Sequence, residues 1–136
     1  MAGRSNIGKE KLRDVYGDKF VVLVRYMILA AESKRFVTYA ELNKLLGVSI
    51  EDLRDFAGYL GDFCYENNLP YLNSLIINST NGMPGEDYFE WLDEGKEAWG
   101  KYVASCMSEF HITMDNKKRF ENTTGKNDVI ESFLNS

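Results

Sequence analysis

The stretch Thr38–Trp91, TYAELNKLLGVSIEDLRDFAGYLGDFCYENNLPYLNSLIINSTNGMPGEDYFEW, decides the expected architecture. Thr38 and Glu41 form a T-x-x-E capping box, in which each side chain satisfies an orphan backbone N–H at a helix start. Ala40, Leu42, Leu45 and Leu46 give that helix an apolar face, and Gly47 supplies the left-handed residue that ends it. Ser49 and Asp52 repeat the capping pattern in acidic form. They open a longer helix to about Asn67, with Leu53, Phe56, Ala57, Leu60, Phe63 and Cys64 at helical spacing. Gly58 and Gly61 each weaken that helix by about 1 kcal/mol relative to Ala, which predicts close packing by another backbone, that of the preceding helix. Two capped helices separated by a few residues are the sequence form of a helix-turn-helix. Asn67-Asn68-Leu69-Pro70 stops the second helix, and Leu72, Leu75, Ile76 and Ile77 predict a strand. Asn81-Gly82 and Pro84-Gly85 are turn dipeptides, and Tyr88–Trp91 reads as the returning strand of a hairpin.

Working outward, Lys9–Tyr16 reads as a short amphipathic turn within a basic arm, residues 1–17. Asp18 is the expected cap of a core helix within 18–35. Its apolar residues Phe20–Val24 and Tyr26–Leu29 cover most of the circumference, so the helix should be buried. The β-branched run Phe20–Val24 leaves a strand as the alternative. Phe36-Val37 reads as a minimal strand pairing with the later hairpin. After the hairpin, Trp99, Tyr102, Val103, Cys106, Met107 and Phe110 mark one face of a helix within 93–112, its start favoured by Asp93 and Glu94. Residues 113–127 read as a polar loop, and Asp128 with Glu131 caps a last short helix carrying Val129, Ile130, Phe133 and Leu134. The expected fold is therefore α+β and mostly helical. A winged-helix-like unit over 36–92 is flanked by N- and C-terminal helices in one domain, residues 1–136.

With 44% hydrophobic and 13% aromatic residues the composition is that of a folded chain, and no apolar run reaches the roughly 20 residues that span a bilayer. No apolar segment with a small-residue cleavage site marks a signal peptide near the N-terminus. Cys64 and Cys106 sit in predicted helices without metal-knuckle spacing, as two free thiols of a cytoplasmic protein. The sequons at Asn78 and Asn122 would matter only in a secreted chain.

The net charge of −5 hides a division. Residues 1–35 hold eight Lys/Arg against four Asp/Glu, whereas residues 36–112 hold four against thirteen. The block TYAELNKLLG, a long helix and LPYLNSLIIN (residues 37–78) resemble the helix-turn-helix portion of the DNA alkyltransferase and alkyltransferase-like proteins. There, a T-Y-x-E-L-type helix precedes a recognition helix and an L-P return strand. The resemblance implies a DNA-binding fold. It does not carry the activity, because Leu75-Ile76-Ile77-Asn78 stands where that family has its Pro-Cys-His-Arg nucleophile strand. The Asn81-Gly82-Met83-Pro84-Gly85 turn is similar to that of small bacterial and phage proteins, a likeness that implies no activity.

Nucleic-acid binding requires cations facing phosphates and donors facing the groove. The candidates are Arg4, Lys9, Lys11, Arg13, Lys34, Arg35, Arg54, Lys117, Lys118 and Arg119. Helix 50–67 sets one arginine, Arg54, against five acids, an unfavourable charge for a recognition helix. The alternative partner is a basic protein surface met by Asp52, Asp55, Asp62, Glu86, Asp87 and Glu90, as in a nucleic-acid mimic or inhibitor. Neither reading needs a cofactor or a metal. The D…E-x-K pattern of Asp87, Glu94 and Lys96 is superficially that of a metal-dependent nuclease, the weaker alternative reading; it needs strand geometry to converge the carboxylates, and here the E-x-K sits at a helix start. His111 is the only histidine, expected to meet the carbonyls at a helix end, so relays or metal sites needing two are absent. Gly58-x-x-Gly61 lacks the Lys-Ser/Thr of a phosphate loop. Tyr65, Tyr71, Tyr88, Trp91 and Trp99 are either an exposed aromatic patch or packed in the core. The sequence thus predicts a non-catalytic binding protein.

Overall fold

A computed structural model describes residues 7–136. The described chain is mostly helical with one small sheet, an α+β arrangement. Helix α1 (Lys9–Asp14) leads into α2 (Gly17–Glu32), then β1 (Val37–Thr38), α3 (Tyr39–Leu46) and α4 (Ile50–Glu66). A 3-10 turn at Leu72–Leu75 runs into β2 (Ile76–Ile77), followed by α5 (Glu86–Leu92) and a 3-10 turn at Lys96–Ala98. Helices α6 (Trp99–Glu109), α7 (Asn116–Asn122) and α8 (Lys126–Leu134) complete the order.

The run Phe20–Val24 is helical, which settles the strand alternative. Phe20, Leu23, Val24, Met27 and Ile28 are all buried, so α2 is a core helix as its composition predicts. Asp18 is not its cap: the helix begins at Gly17, after Tyr16, with no side-chain cap bond. Helix α2 ends where Arg35 N–H donates to Ala30 O at 3.0 Å and Lys34 takes a left-handed φ of 59°. That 6→1 closure is a Schellman ending with lysine where glycine is usual. The Thr38 and Ser49 half of each predicted capping box forms, while the Glu41 carboxylate accepts from Arg35 and Tyr26. Thr38 Oγ1 accepts from Glu41 N at 3.0 Å, and Ser49 Oγ accepts from Asp52 N at 3.1 Å. Gly47 ends α3 at φ 67°.

The wing is where expectation and structure part. Strand β2 pairs with β1, in parallel, Val37 against Ile76 and Thr38 against Ile77. This is the only sheet among the described residues. Tyr88–Trp91 lies in helix α5 instead of a returning strand. Asn78–Met83 closes on itself, with Gly82 N–H donating to Asn78 O and Asn78 N–H to Met83 O. The chain leaves that turn at Pro84-Gly85. Glu86 and Asp87 then sit in the first turn of a helix, where the macrodipole favours anions. Tyr88, Trp91 and Leu92, at i, i+3 and i+4, form its buried face.

Residues 113–127 also differ from the expected loop. Asp115 accepts from the N–H groups of Lys117 and Lys118 and caps α7. The main core runs from Ile7 and Leu12 through α2, α3 and α4 to Ile130, Phe133 and Leu134 of α8, and a smaller cluster of Tyr88, Trp91 and Leu92 packs with Trp99 and Tyr102. Between α4 and α5, Gly61 is the point of closest approach. It meets the Trp91 ring and Asn73 side chain, not the earlier helix that its sequence position suggested.

Candidate interaction surfaces

Four of the cations that the sequence nominated, Lys9, Arg13, Lys34 and Arg35, are engaged within the fold. Arg4 lies outside the described residues. Lys9 sits over the Phe133 ring, 3.8 Å from its centroid, and donates to Ser136 Oγ. Lys11 is exposed, 5.9 Å from the Tyr16 ring centroid, and Arg13 is bonded to Asp14 at 2.8 Å. Lys34 reaches across to the C-terminus of α6. Its ammonium donates to Phe110 O at 2.6 Å and to Met107 O, and lies 3.2 Å from His111 Nδ1. A cation on the last carbonyls of a helix is a favourable terminus contact, so Lys34 and not His111 meets these carbonyls. Arg35 forms a fork on Glu41, 2.7 Å and 3.3 Å to the two carboxylate oxygens, and also donates to Tyr26 Oη. The hydrogen bonds from Arg35 hold the Glu41 carboxyl below the usual glutamate range, burial opposing and the Tyr26 bond adding to the shift.

Arg54 is exposed near the start of α4. The middle of that helix is closed: Asp55 through Gly61 is an unbroken buried run, and Phe63 and Cys64 are buried as well. A recognition helix must offer a free face to a groove. Helix α4 instead lies at the centre of the described core. The exposed cations of the C-terminal region are Lys117, Lys118 and Arg119 on α7, and none of the three makes an ion pair among the described residues.

The acids divide in the same manner. Asp55 is 4% exposed and accepts from Ile7 N at 3.0 Å, so it is not part of an outward acidic face. Beside it, Tyr59 Oη donates to Ile7 O at 2.7 Å, and together they fasten residue 7 to α4. Sequence reading missed this role because an acid in a helix is ordinarily a solvated one. Asp62 is half-buried and accepts from Trp91 Nε1 at 2.8 Å; burial pushes its carboxyl above the usual aspartate range, with the indole bond opposing. Asp52 is half-buried, its N–H bonded to Ser49.

What remains on the surface is concentrated in α5 and the turn after it. Glu86, Glu90, Asp93, Glu94 and Glu97 are exposed and Asp87 partly so. Two lysines answer them, Lys96 at 3.3 Å from Glu86 and Lys101 at 3.6 Å from Glu94, while Tyr102 Oη donates to Glu94. Lys96 and Glu94 are thereby turned to partners other than Asp87, and no group of three or more His, Cys, Asp or Glu side chains converges on a metal position among the described residues.

The aromatics are largely interior. Tyr88 and Trp91 are buried, Tyr88 Oη hydrogen-bonded to Ser74 Oγ and Trp99 Nε1 donating to Ser74 O. Tyr65 alone of the five nominated is exposed. Cys64 and Cys106 are buried free thiols, and burial pushes both up to about 12, so neither is a thiolate nucleophile near neutrality. No described helix is long and apolar enough to cross a membrane. Compared with known proteins, the chain matches no family model, no curated protein and no solved structure.

Proposed function

We propose that this chain is a non-catalytic, cytoplasmic binding protein whose acidic α5 segment engages the basic surface of a protein partner. The observation that carries the reading is the concentration of Glu86, Asp87, Glu90, Asp93, Glu94 and Glu97 within twelve residues, with Lys96 the only cation in that span. The segment is held rigidly from beneath by Trp91, Tyr88 and Leu92, so its charges are displayed on an ordered element. Complementary charge steers a partner to such a surface and disfavours partners of like sign. The two buried thiols suit a reducing compartment.

Nucleic-acid binding is the second reading, favoured by the exposed Lys117, Lys118 and Arg119 of α7, which make no ion pair among the described residues, and by the helix-turn-helix order of α3 and α4. In that case the protein acts as a regulator or accessory factor on nucleic acid, with α7 rather than α4 on the phosphates.

Two assays distinguish these readings. Partners captured from a host lysate should be lost by the triple variant Glu86→Lys/Glu90→Lys/Glu94→Lys and retained by Lys117→Ala/Arg119→Ala. Duplex and single-stranded DNA and RNA of mixed sequence should bind weakly at low salt and not at physiological salt. Salt-dependent nucleic-acid binding that weakens in Lys117→Ala/Arg119→Ala, with capture unchanged in the glutamate variant, would transfer the conclusion to the second reading.

A further inference from the structure

The outward side of α2 carries a feature that neither charged surface uses. Val22 and Leu29, one heptad apart, are 44% and 55% exposed and form an apolar ridge along the helix. Both also line one side of a groove of about 340 Å³, which Val21 and Ile28 line as well, together with Asn122 and Thr123 at the end of α7. Arg25 and Glu32 stand in the same groove, seven residues apart. Arg25 is exposed and makes no ion pair among the described residues. Glu32 accepts one hydrogen bond, from Asn122 Nδ2 at 3.3 Å through Oε2, which leaves its other oxygen open.

We propose that this face binds a second copy of the chain, the two α2 helices packing antiparallel about a two-fold axis near Ile28–Leu29. Leu29 stands beside the axis, so the two-fold operation seats Leu29 of each copy against Ile28 in the groove of the other. The charges obey the same symmetry. Arg25 and Glu32 lie about equal distances along the helix on opposite sides of Ile28–Leu29, roughly 5 Å each way at 1.5 Å per residue. Reversal of direction therefore sets Arg25 of one copy beside Glu32 of the other, twice per dimer. An isologous contact requires this self-complementarity. A partner of uniform charge would match one of the two residues and oppose the other. The α2 face is separate in sequence from the acidic α5 segment, and the inference stands whichever partner α5 meets.

Sedimentation equilibrium of the full chain tests it. From micromolar to millimolar concentration, the mass should rise from 15.6 kDa toward twice that value. Leu29→Asp, at a side chain more than half exposed, should leave the circular dichroism unchanged and keep the chain monomeric. Arg25→Glu and Glu32→Arg should each weaken association by about tenfold or more, because each creates two like-charge contacts. The double variant Arg25→Glu/Glu32→Arg should recover affinity to within about threefold of the original, since it restores both pairs with signs exchanged. A chain monomeric throughout the range overturns the proposal. So does a dimer indifferent to Leu29→Asp, or a double variant no better than the singles. A monomer that retains another molecule on this face, displaced by Leu29→Asp, would give the groove to a different occupant and equally overturn it.

Discussion

An ideal Cβ on Gly61 would lie 2.3 Å from Trp91 Cζ2 and 2.5 Å from Asn73 Nδ2, distances at which atoms cannot coexist. The indole is itself fixed, 1% exposed and bonded through Nε1 to Asp62, so it cannot rotate away cheaply. Gly61→Ala should therefore destabilise by about 2–4 kcal/mol, although Ala is the better helix former. Thermal unfolding checks the size, and a changed near-ultraviolet spectrum of Trp91 would locate the damage. Asp62 permits a prediction with a definite sign. Burial raises its folded-state value, so on raising the pH the unfolded chain loses this proton first, and stability falls as pH rises from the ordinary aspartate value through the raised one. Asp62→Asn keeps an oxygen for the Trp91 N–H and removes the ionisation. It should be more stable than the parent at pH 7, with the difference vanishing near pH 3. Denaturant unfolding at the two values decides it; an equal difference at both would show that ionisation is not the cause.

At the scale of elements, the Arg35–Glu41–Tyr26 cluster joins the end of α2 to the first turn of α3. Glu41 is depressed by its hydrogen bonds with Arg35, so its contribution is full above the ordinary glutamate value and is lost as pH falls through the lower folded value. Because the pair is partly solvated, Glu41→Gln should remove only about 1 kcal/mol at pH 7, and nothing in strong acid. A pH series of unfolding midpoints for the two proteins checks this. The same helix start explains what was legible in the sequence. Thr38, Ser49 and Gly47 act on backbone groups two to four residues away, so their meaning is written locally and both central helices stand where the caps place them. Helix α5 was not legible as a helix because YFEW has strand propensity and follows two turn dipeptides. Its helical signal, Tyr88, Trp91 and Leu92 on one face, emerges only once Gly61 opens a place for the indole. Helix α7 is mostly polar, with Asn122 its only buried side chain, so no periodic apolar pattern announces it. Two nominated residues have partners that sequence could not show, for a related reason: residue type reveals a charge, but not that Asp55 meets Ile7 N–H or that Lys34 meets the end of α6.

Across the molecule, the first and last described helices close one core. Phe133 of α8 stacks on Phe20 of α2 with ring centroids 5.8 Å apart and meets Phe63 of α4 edge-on at 5.5 Å, while the Lys9 ammonium of α1 lies 3.8 Å from its centroid. Phe20 and Phe63 are fully buried, and Ile130 and Leu134 fill the space beside them. Burying each such side chain contributes about 1.5–3 kcal/mol, so three of them together approach the 5–15 kcal/mol that holds a typical domain folded. Helix α8 is consequently integral to the core and not an appendage. Phe133→Ala should cost about 3–5 kcal/mol. A chain ending at Gly125 should lose its cooperative unfolding transition at 25 °C, retain much of its far-ultraviolet helix signal and bind a hydrophobic dye, because α2 and α4 would still be helical with their apolar faces uncovered. If that shortened chain instead melts cooperatively, with a midpoint within a few degrees of the parent, the phenylalanine cluster is peripheral. The core would then rest on the packing of α2 against α3 and α4 alone.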